Sequence, residues 1–274
     1  MPELPEVEVT RRGIAPTLIG RRVTSTNWRV PALRYPLPQN EARHFVGLPL
    51  LAVHRRGKYL LLEFASGHLL VHLGMSGSLR LVSPDLEARK HDHVDILFGS
   101  GRTAVTLRMQ DPRRFGAILW VEGDVGNHPL IWVLGIEPLT DEFTPAWLKQ
   151  SLAGLKAAIK PTLMDGHRIV GIGNIYASES LFRAGIHPTT PAGKVSLKRL
   201  ARLVPVIKET LAAAIDAGGS SLRDFIHSDG SSGYFQQQYF VYSRDGEPCR
   251  VCQSTIRQIR QGQRATFYCP RCQR

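Results

Sequence analysis

The chain has 274 residues, of which 43% are apolar and 21% are charged. This length is enough for one large or two ordinary domains, and the balance is that of a globular protein rather than a disordered one. No run reaches the roughly 18–20 apolar residues that a membrane-spanning helix needs. The acidic N-terminus also lacks the basic and apolar regions of a signal peptide. We therefore expect a soluble, cytosolic protein.

The charge is strongly basic, with 35 Lys and Arg against 23 Asp and Glu, a net charge of +12 and a pI near 10.0. Such a balance favours polyanions as partners, and nucleic acid is the usual one. Residues 249–274 contain six arginines and no acid. The basic character is therefore concentrated at the C-terminus.

The N-terminal segment, Met1 to Glu6, can be interpreted in two ways. Removal of Met1 would leave Pro2 with a free secondary amine beside the Glu3 carboxylate. An α-amino group has a pKa of about 8, against about 10.4 for lysine, and an unprotonated amine can attack electrophilic carbon and form a Schiff base. The alternative is an ordinary helix start, because proline and acids suit a first turn. These six residues alone favour the helix start.

The following part of the chain is rich in short β-type runs separated by turn residues. Their spacing predicts an antiparallel sandwich or barrel. The runs are 50–53, 59–64, 68–73, 78–82, 93–98, 103–107 and 117–121. Glycines and prolines at 123–138 then break the pattern, which indicates a linker.

From about Thr144 the apolar period becomes helical. A helix is predicted over 200–215, ending before Gly218 and Gly219. The turn at 171–174 is typical of a phosphate site at a helix start, with Asn174 near the N-cap, although a purely structural turn is about as plausible. Residues 220–238 are polar and glycine-rich, which favours a mobile ligand-binding loop.

All four cysteines lie in the basic C-terminal tail, with the spacing C-x2-C-x16-C-x2-C. Two such knuckles complete a tetrahedral, four-thiolate zinc site, which is closed and therefore structural. The runs 255–259 and 265–268 predict a hairpin between the knuckles, that is, a zinc ribbon. Two disulfides are the alternative, disfavoured in a reducing cytosol. The predicted ligands are Cys249, Cys252, Cys269 and Cys272.

Three further motifs are ambiguous by themselves. Residues 111–116 place two arginines beside Phe115, which suits contacts to bases or an ordinary charged turn. Met75 between glycines could fill a gap, although Met is more often in a core. A metal cluster at 91–93 is disfavoured because strand alternation would point Asp92 away from both histidines.

Taken together, these motifs closely resemble the formamidopyrimidine-DNA glycosylase family of bacterial repair enzymes. The motifs match along the whole chain and in the right order. This match favours the interpretation of the N-terminal segment as a nucleophile over that of an ordinary helix start. It is carried by 2–8, 56–59, 72–77, 111–116, 173–179 and the zinc ribbon with 263–269.

The resemblance implies an α+β multidomain fold. It consists of an N-terminal antiparallel β-sandwich with an N-terminal helix (1–125), a linker (126–143), and a helix-two-turn-helix domain (144–240) with a lesion loop at 220–238. A zinc-ribbon finger (241–274) follows. The implied activity is a bifunctional DNA glycosylase and AP lyase of base excision repair, removing 8-oxoguanine and formamidopyrimidines from double-stranded DNA. The damaged nucleotide is flipped out of the stack.

By resemblance, Pro2 attacks C1′, Glu3 is the general acid and Glu6 supports the local proton network. Glu3 and Glu6 are one helical turn apart and share a face. The first elimination is assigned to Lys58 and the second to Arg264. While Met1 is attached, however, the Pro2 nitrogen is a tertiary amide, so loss of Met1 is expected to be a condition of activity.

The implied DNA contacts fall into three groups. His72 and Asn174, with Lys58 and Arg264, grip phosphates, which positions the site without choosing the base. Met75, Arg113 and Phe115 fill the vacated space, and Arg113 reads the orphaned cytosine. The further expected contacts are His91, Arg114, Lys156, Lys160 and Tyr176. We expect a monomer with one structural zinc ion, no membrane partner, and action at the bacterial nucleoid.

Two alternatives stay open. An endonuclease VIII-like enzyme of the same superfamily prefers oxidised pyrimidines, but Leu4 and the intact space-filling trio favour the purine branch. A non-catalytic zinc-ribbon DNA-binding protein would explain the charge and the cysteines. It gives no reason for Pro2 beside Glu3.

Overall fold

The structure, a computed structural model, describes residues 1–220 and 239–274. The predicted loop at 220–238 therefore lies, apart from Ser220, outside the described residues. The chain forms two compact units. One runs from Met1 to Val133 and includes the segment that begins at Ala217, and the other runs from Leu134 to Asp216 and includes the C-terminal segment that ends at Arg274.

The first unit is a β-sandwich preceded by a helix. Helix α1 (Leu4–Leu18) begins with Pro5 in its first turn, where a proline removes no needed hydrogen bond. Two four-stranded antiparallel sheets follow, with the orders β1-β6-β7-β5 and β2-β3-β4-β8. The strands are β1 (Val23–Trp28), β2 (Ala52–Arg56), β3 (Tyr59–Phe64), β4 (Gly67–His72), β5 (Ser78–Val82), β6 (Asp92–Phe98), β7 (Val105–Gln110) and β8 (Ala117–Glu122).

One apolar core fills the space between the two sheets and the inner face of α1. Leu60 and Leu62 of one sheet and Ile96 of the other belong to it, together with Val7 and Ile14 of the helix. Alternate residues of each strand point into this core, as strand geometry requires. The predicted sandwich with an N-terminal helix is confirmed.

Two details of the strand prediction are wrong. Strand β1 was missed because only Val23 of its six residues is buried, so this edge strand carries almost no apolar signal. The run predicted at 103–107 is displaced, since a 3-10 turn occupies Gly101–Thr103 and the strand continues to Gln110. Arg108 in this strand is buried and forms an ion pair with Asp95.

The second unit is helical and ends in the zinc ribbon. Its long helix α6 buries one face, from Leu200 to Ile215, and ends where predicted, before two glycines. The other elements are α2 (Pro129–Trp132), which ends the first unit, and α3 (Pro145–Ser151), α4 (Ile159–Leu163), α5 (Asn174–Arg183), α6 (Leu197–Asp216), β9 (Arg257–Gln261) and β10 (Arg264–Tyr268). Strands β9 and β10 form the expected antiparallel hairpin.

The zinc ribbon shares a core with the helices. Phe182 of α5 packs with Val241, Ile256 and Phe267. The ribbon is therefore part of the same compact unit as the helices. The division between the units falls after Val133, inside the predicted linker. Across the described ranges, no helix combines the length and apolar character needed to cross a membrane.

Candidate active site

The N-terminal segment is buried and held by the Glu6 carboxylate. Pro2 and Glu3 are buried, with Glu3 only 2% exposed. Glu6 Oε2 accepts from the Glu3 backbone N–H at 2.8 Å, in a capping-box arrangement at the start of α1. Glu6 Oε1 accepts from both the backbone N–H and the hydroxyl of Ser220, each at 2.8 Å. Glu6 thus holds the Glu3 backbone with one carboxylate oxygen and binds Ser220 with the other.

Helix α1 is also tied to strand β2 by charge. Glu8 accepts from Arg55 Nε at 3.3 Å and from Arg11 Nη2 at 2.8 Å. Burial tends to raise the pKa of Glu8, but hydrogen bonds from Arg11 and Arg12 outweigh it, so the pKa is lowered and the carboxylate stays charged. This contact was not predicted from the sequence, because an arginine beside a turn is usually exposed to solvent.

Lys58 and His72 lie at adjacent strand ends of the same sheet. The β2–β3 loop has two residues, Gly57 and Lys58, and Gly57 adopts the positive φ of 56° that such a tight hairpin favours. In the next pair of strands, Tyr59 lies opposite His72, and their rings are 4.9 Å apart. The positive charge of Lys58 acts on the His72 ring.

His72 is held neutral in a defined tautomer. Burial, together with the positive charges of Lys58 and Arg34, lowers the pKa of His72 from 6.5 to about 4. The Gly74 N–H donates to Nδ1 at 3.0 Å, so the ring proton of the neutral imidazole is on Nε2. His72 therefore offers a neutral N–H donor, suited to a phosphate oxygen.

The three predicted space-filling residues lie on two loops that pack against each other. Met75 and Phe115 are exposed, and the Arg113 guanidinium is 5.0 Å from the centre of the Phe115 ring. The loop of Met75 passes so close to the loop of Phe115 that a Cβ on Gly74 would lie 2.5 Å from the Gly116 nitrogen. The first unit thus brings an exposed Met, Phe and Arg together.

In the second unit, a buried ammonium joins Asn174 to the zinc ribbon. Lys160 Nζ donates to Asn174 Oδ1 at 2.5 Å and to Thr266 Oγ1 at 2.7 Å. Asn174 Nδ2 donates to the Ala265 carbonyl at 3.1 Å, which places Asn174 beside the residue that follows Arg264. Asn174 is the first residue of α5, and its N-cap is Gly173. The helix start and the hairpin tip are therefore held as one group.

Two of the predicted DNA contacts are buried. Lys160 is 1% exposed and Tyr176 is 0% exposed, so neither side chain reaches the surface. Direct contacts of both residues with DNA were expected from the family resemblance. The hydrogen bonds of Lys160 hold Asn174 and Thr266. Arg113, Arg114 and Lys156 are exposed and His91 is partly exposed, as DNA contacts require.

The four cysteines form one compact cluster. Their Sγ atoms lie within 4.8 Å of one another, and two of the Sγ–Sγ distances are 3.9 Å and 3.4 Å. A tetrahedral zinc site with Zn–S bonds of about 2.3 Å requires sulfur separations of about 3.8 Å. The thiolates therefore fit one structural zinc ion. In the described part of the chain, no other group of three or more His, Cys, Asp and Glu side chains comes close enough together to hold a metal.

A buried glutamate that the sequence analysis missed anchors the chain after the undescribed segment. Glu179, in α5, accepts from the backbone N–H groups of Phe240, Val241 and Tyr242 at 2.8–3.0 Å. Burial raises the pKa of Glu179, and the three N–H donors counteract part of this. The sequence signal that could have predicted this contact is an acidic residue on the buried face of α5.

Three family models match the chain in succession. The formamidopyrimidine-DNA glycosylase N-terminal domain matches residues 1–118, and the formamidopyrimidine-DNA glycosylase H2TH domain matches residues 134–226. The zinc finger found in FPG and IleRS matches residues 246–274. The matches cover most of the chain and include the predicted nucleophile, the Asn174 turn and the cysteines.

Similar proteins extend over the full length. A formamidopyrimidine-DNA glycosylase of Aromatoleum aromaticum is 60% identical over 274 residues, covering 100% of both chains. The crystal structure of the MutM (Fpg) protein of Thermus thermophilus has a TM-score of 0.88 at 37% identity, covering 99% of this chain and 98% of that one. Lactococcus lactis FPG (MutM), in a complex with DNA that contains FAPY-dG, has a TM-score of 0.89 at 32% identity, covering 99% and 100%. The chain belongs to the formamidopyrimidine-DNA glycosylase family.

Proposed function

We propose that this chain is a DNA glycosylase and AP lyase of base excision repair that removes oxidised purines from double-stranded DNA. The observation that carries the proposal is the N-terminal segment. Pro2 and Glu3 are buried together at the start of α1, and the Glu6 carboxylate holds the backbone of Glu3 in place. A non-catalytic zinc-ribbon protein would have no use for such an arrangement.

The chemistry starts from the Pro2 amine that removal of Met1 releases. Its lone pair attacks C1′ of the damaged nucleotide, and the N-glycosidic bond breaks as the base leaves with a proton from a general acid. Glu3 is next to the nucleophile and is our candidate for that acid. The nitrogen then loses its proton, the C1′–O4′ bond breaks as O4′ takes up a proton, and the product is an iminium between Pro2 and the opened sugar. Glu6 then serves to position this segment, because both of its oxygens already accept hydrogen bonds.

Strand cleavage follows from the iminium. Loss of a proton from C2′ expels the 3′ phosphate, and a second elimination expels the 5′ phosphate. We assign support of the first step to Lys58 and of the second to Arg264. His72 and Asn174 would bind phosphate oxygens through N–H donors, which positions the DNA but does not select the base. Met75, Arg113 and Phe115 would fill the space left by the extruded nucleotide.

The zinc ion has a structural role in this proposal. Four thiolates close its coordination sphere, so it offers no open position for substrate or water. It would keep β10, and therefore Arg264, next to Asn174. We further propose that the enzyme acts as a monomer, on the chromosome in the bacterial cytoplasm. We also propose a sandwich domain at 1–125, a linker at 126–143, a helix-two-turn-helix domain at 144–240 with the lesion loop at 220–238, and a zinc-ribbon finger at 241–274.

Borohydride trapping tests the proposal. A duplex with 8-oxoguanine opposite cytosine is incubated with the protein, and borohydride reduces any iminium to a stable amine. We expect a covalent complex that maps to residue 2. A second duplex with an oxidised thymine separates the purine enzyme from an endonuclease VIII-like one, which would prefer it.

The matched control is the same protein with its N-terminus blocked by a short extension. The blocked protein should bind the duplex but form no adduct. An adduct that persists after blocking, or its absence from the processed protein, would rule out Pro2 as the nucleophile.

A further inference from the structure

Asp111 is a buried acid to which the proposed chemistry assigns no role. It follows strand β7 directly and is 0% exposed. A carboxylate removed from water is costly unless donors satisfy its oxygens. The identity of those donors therefore shows what the side chain holds together.

The donors come from two different loops. Asp111 Oδ1 accepts from the Ser76 hydroxyl at 3.2 Å and from the Arg113 backbone N–H at 3.3 Å. Asp111 Oδ2 accepts from the Gly116 backbone N–H at 2.7 Å. One of these loops carries Met75. The other carries Arg113 and Phe115.

The main chain of Asp111 is fixed as well. Its N–H donates to the His91 carbonyl at 3.0 Å, and its carbonyl accepts from His93 Nε2 at 3.0 Å. Asp111 is therefore immobile relative to β6 and β7, and it sets the position of both loops against this rigid frame. The donor Ser76 is itself buried, so water does not compete for the contact.

We infer that Asp111 is a positioning residue that aligns the two space-filling loops, so that Arg113 faces the base opposite the lesion while Met75 and Phe115 enter the duplex. The inference rests on the proposed function. Its consequence is that Asp111 affects lesions within a base pair, where a nucleotide must be extruded, far more than a pre-formed abasic site, where no base pair has to be opened.

Asp111→Asn tests the carboxylate with little change of volume. One amide oxygen cannot replace two carboxylate oxygens facing three donors. With its oxygen towards Gly116, the amide leaves the Arg113 N–H without an acceptor. In the reverse orientation the Gly116 N–H faces an NH₂ group. Either orientation loosens the loop of Arg113, and losing one hydrogen bond to a charged acceptor corresponds to roughly tenfold or more.

Single-turnover excision is measured on two duplexes, with 8-oxoguanine opposite cytosine in one and opposite adenine in the other. Borohydride trapping is measured on a duplex with an abasic site. For Asp111→Asn we expect excision opposite cytosine to fall about tenfold and the preference for cytosine over adenine to shrink. Trapping on abasic DNA should be nearly unchanged. Unchanged excision and preference, or an equal loss on abasic DNA in a variant that is still folded, would overturn the inference.

Ser76→Ala distinguishes the contribution of the Met75 loop from that of the Arg113 loop. It also tests the inference if Asp111→Asn does not fold. It releases only the loop of Met75, so excision should slow while the preference for cytosine is kept. Excision at the wild-type rate contradicts the inference. Asp95→Asn is the matched control, because it removes the charge of a different, only partly buried carboxylate, which is paired with Arg108 Nε at 2.7 Å. It should lower the melting temperature but not the preference, and a similar loss of preference would also overturn the inference.

If wild-type protein gives no adduct on abasic DNA, the proposed function fails rather than the role of Asp111.

Discussion

Two buried glutamates, one in each compact unit, use the same chemistry in regions with different roles. Glu6 accepts from the Glu3 N–H and from the N–H and hydroxyl of Ser220. Glu179 accepts from three consecutive backbone N–H groups, starting at Phe240. Among the described residues each carboxylate therefore has at least three donors, and each fixes a chain segment that adjoins the 221–238 range.

The difference lies in what each carboxylate holds. Glu6 holds the segment with the proposed nucleophile, so a small movement there changes the reacting geometry. Glu179 holds the start of the zinc-ribbon segment, which serves to support Asn174 and Arg264. Burial and hydrogen bonding alone do not identify a catalytic acid. The neighbouring groups decide the role.

Removal of zinc should have the largest effect, and only on the second region. Without the metal, the four cysteines within 4.8 Å of one another lose the ion that holds them together, and the apparent binding energy of structural zinc is about 10–16 kcal/mol. We expect the ribbon to unfold under a chelator and DNA affinity to fall at least about tenfold, since Lys160 loses Thr266 and Ala265. Limited proteolysis and fluorescence anisotropy measure both effects. Readdition of zinc should restore them, and unchanged affinity of metal-free protein would contradict the proposed supporting role.

Glu3→Gln should have the next largest effect, confined to the first region. Loss of a general acid typically slows a reaction by roughly 10²–10⁴-fold. We expect this loss for excision of 8-oxoguanine in single-turnover assays. Borohydride trapping on abasic DNA should persist, because no base has to leave. Equal losses on both substrates would mean that Glu3 only supports the fold.

The pair Glu6→Gln and Glu179→Gln tests the comparison directly. Each amide loses one acceptor, so each variant should lose about 1–3 kcal/mol in the free energy of unfolding. Only Glu6→Gln should also slow excision at a temperature where both proteins are fully folded. Urea unfolding and single-turnover rates provide the two measurements. If Glu179→Gln slows excision as much, the two carboxylates do not differ as proposed.

The smallest expected effect is the pH dependence of stability from His72. The pKa of His72 is lowered from the usual 6.5 to about 4, so between these values the unfolded chain binds more protons than the folded one. The free energy of unfolding should therefore rise with pH across this window, by about 1–3 kcal/mol. In His72→Asn this contribution should disappear. Urea unfolding at pH 5 and pH 7 measures it, and an equal slope in both proteins would refute the assignment.

Much of the fold and of the site could be predicted because the signals are local. Alternation predicted most of the sandwich strands, and helical periodicity predicted the buried face of α6. The cysteine spacing predicted the cluster that the structure brings within 4.8 Å. Strand β1 escaped because a solvated edge strand has only one buried residue, Val23, and therefore no pattern to detect.

The sequence by itself determined the family, the nucleophile candidate and the zinc ligands, because each depends on residues that are adjacent or regularly spaced. Only the tertiary structure revealed the contacts of Glu6, Asp111 and Lys160. Their partners are up to 214 positions away along the chain, as in the contact of Glu6 with Ser220. A buried polar side chain is defined by the donors and acceptors that surround it, and these come together only when the chain folds.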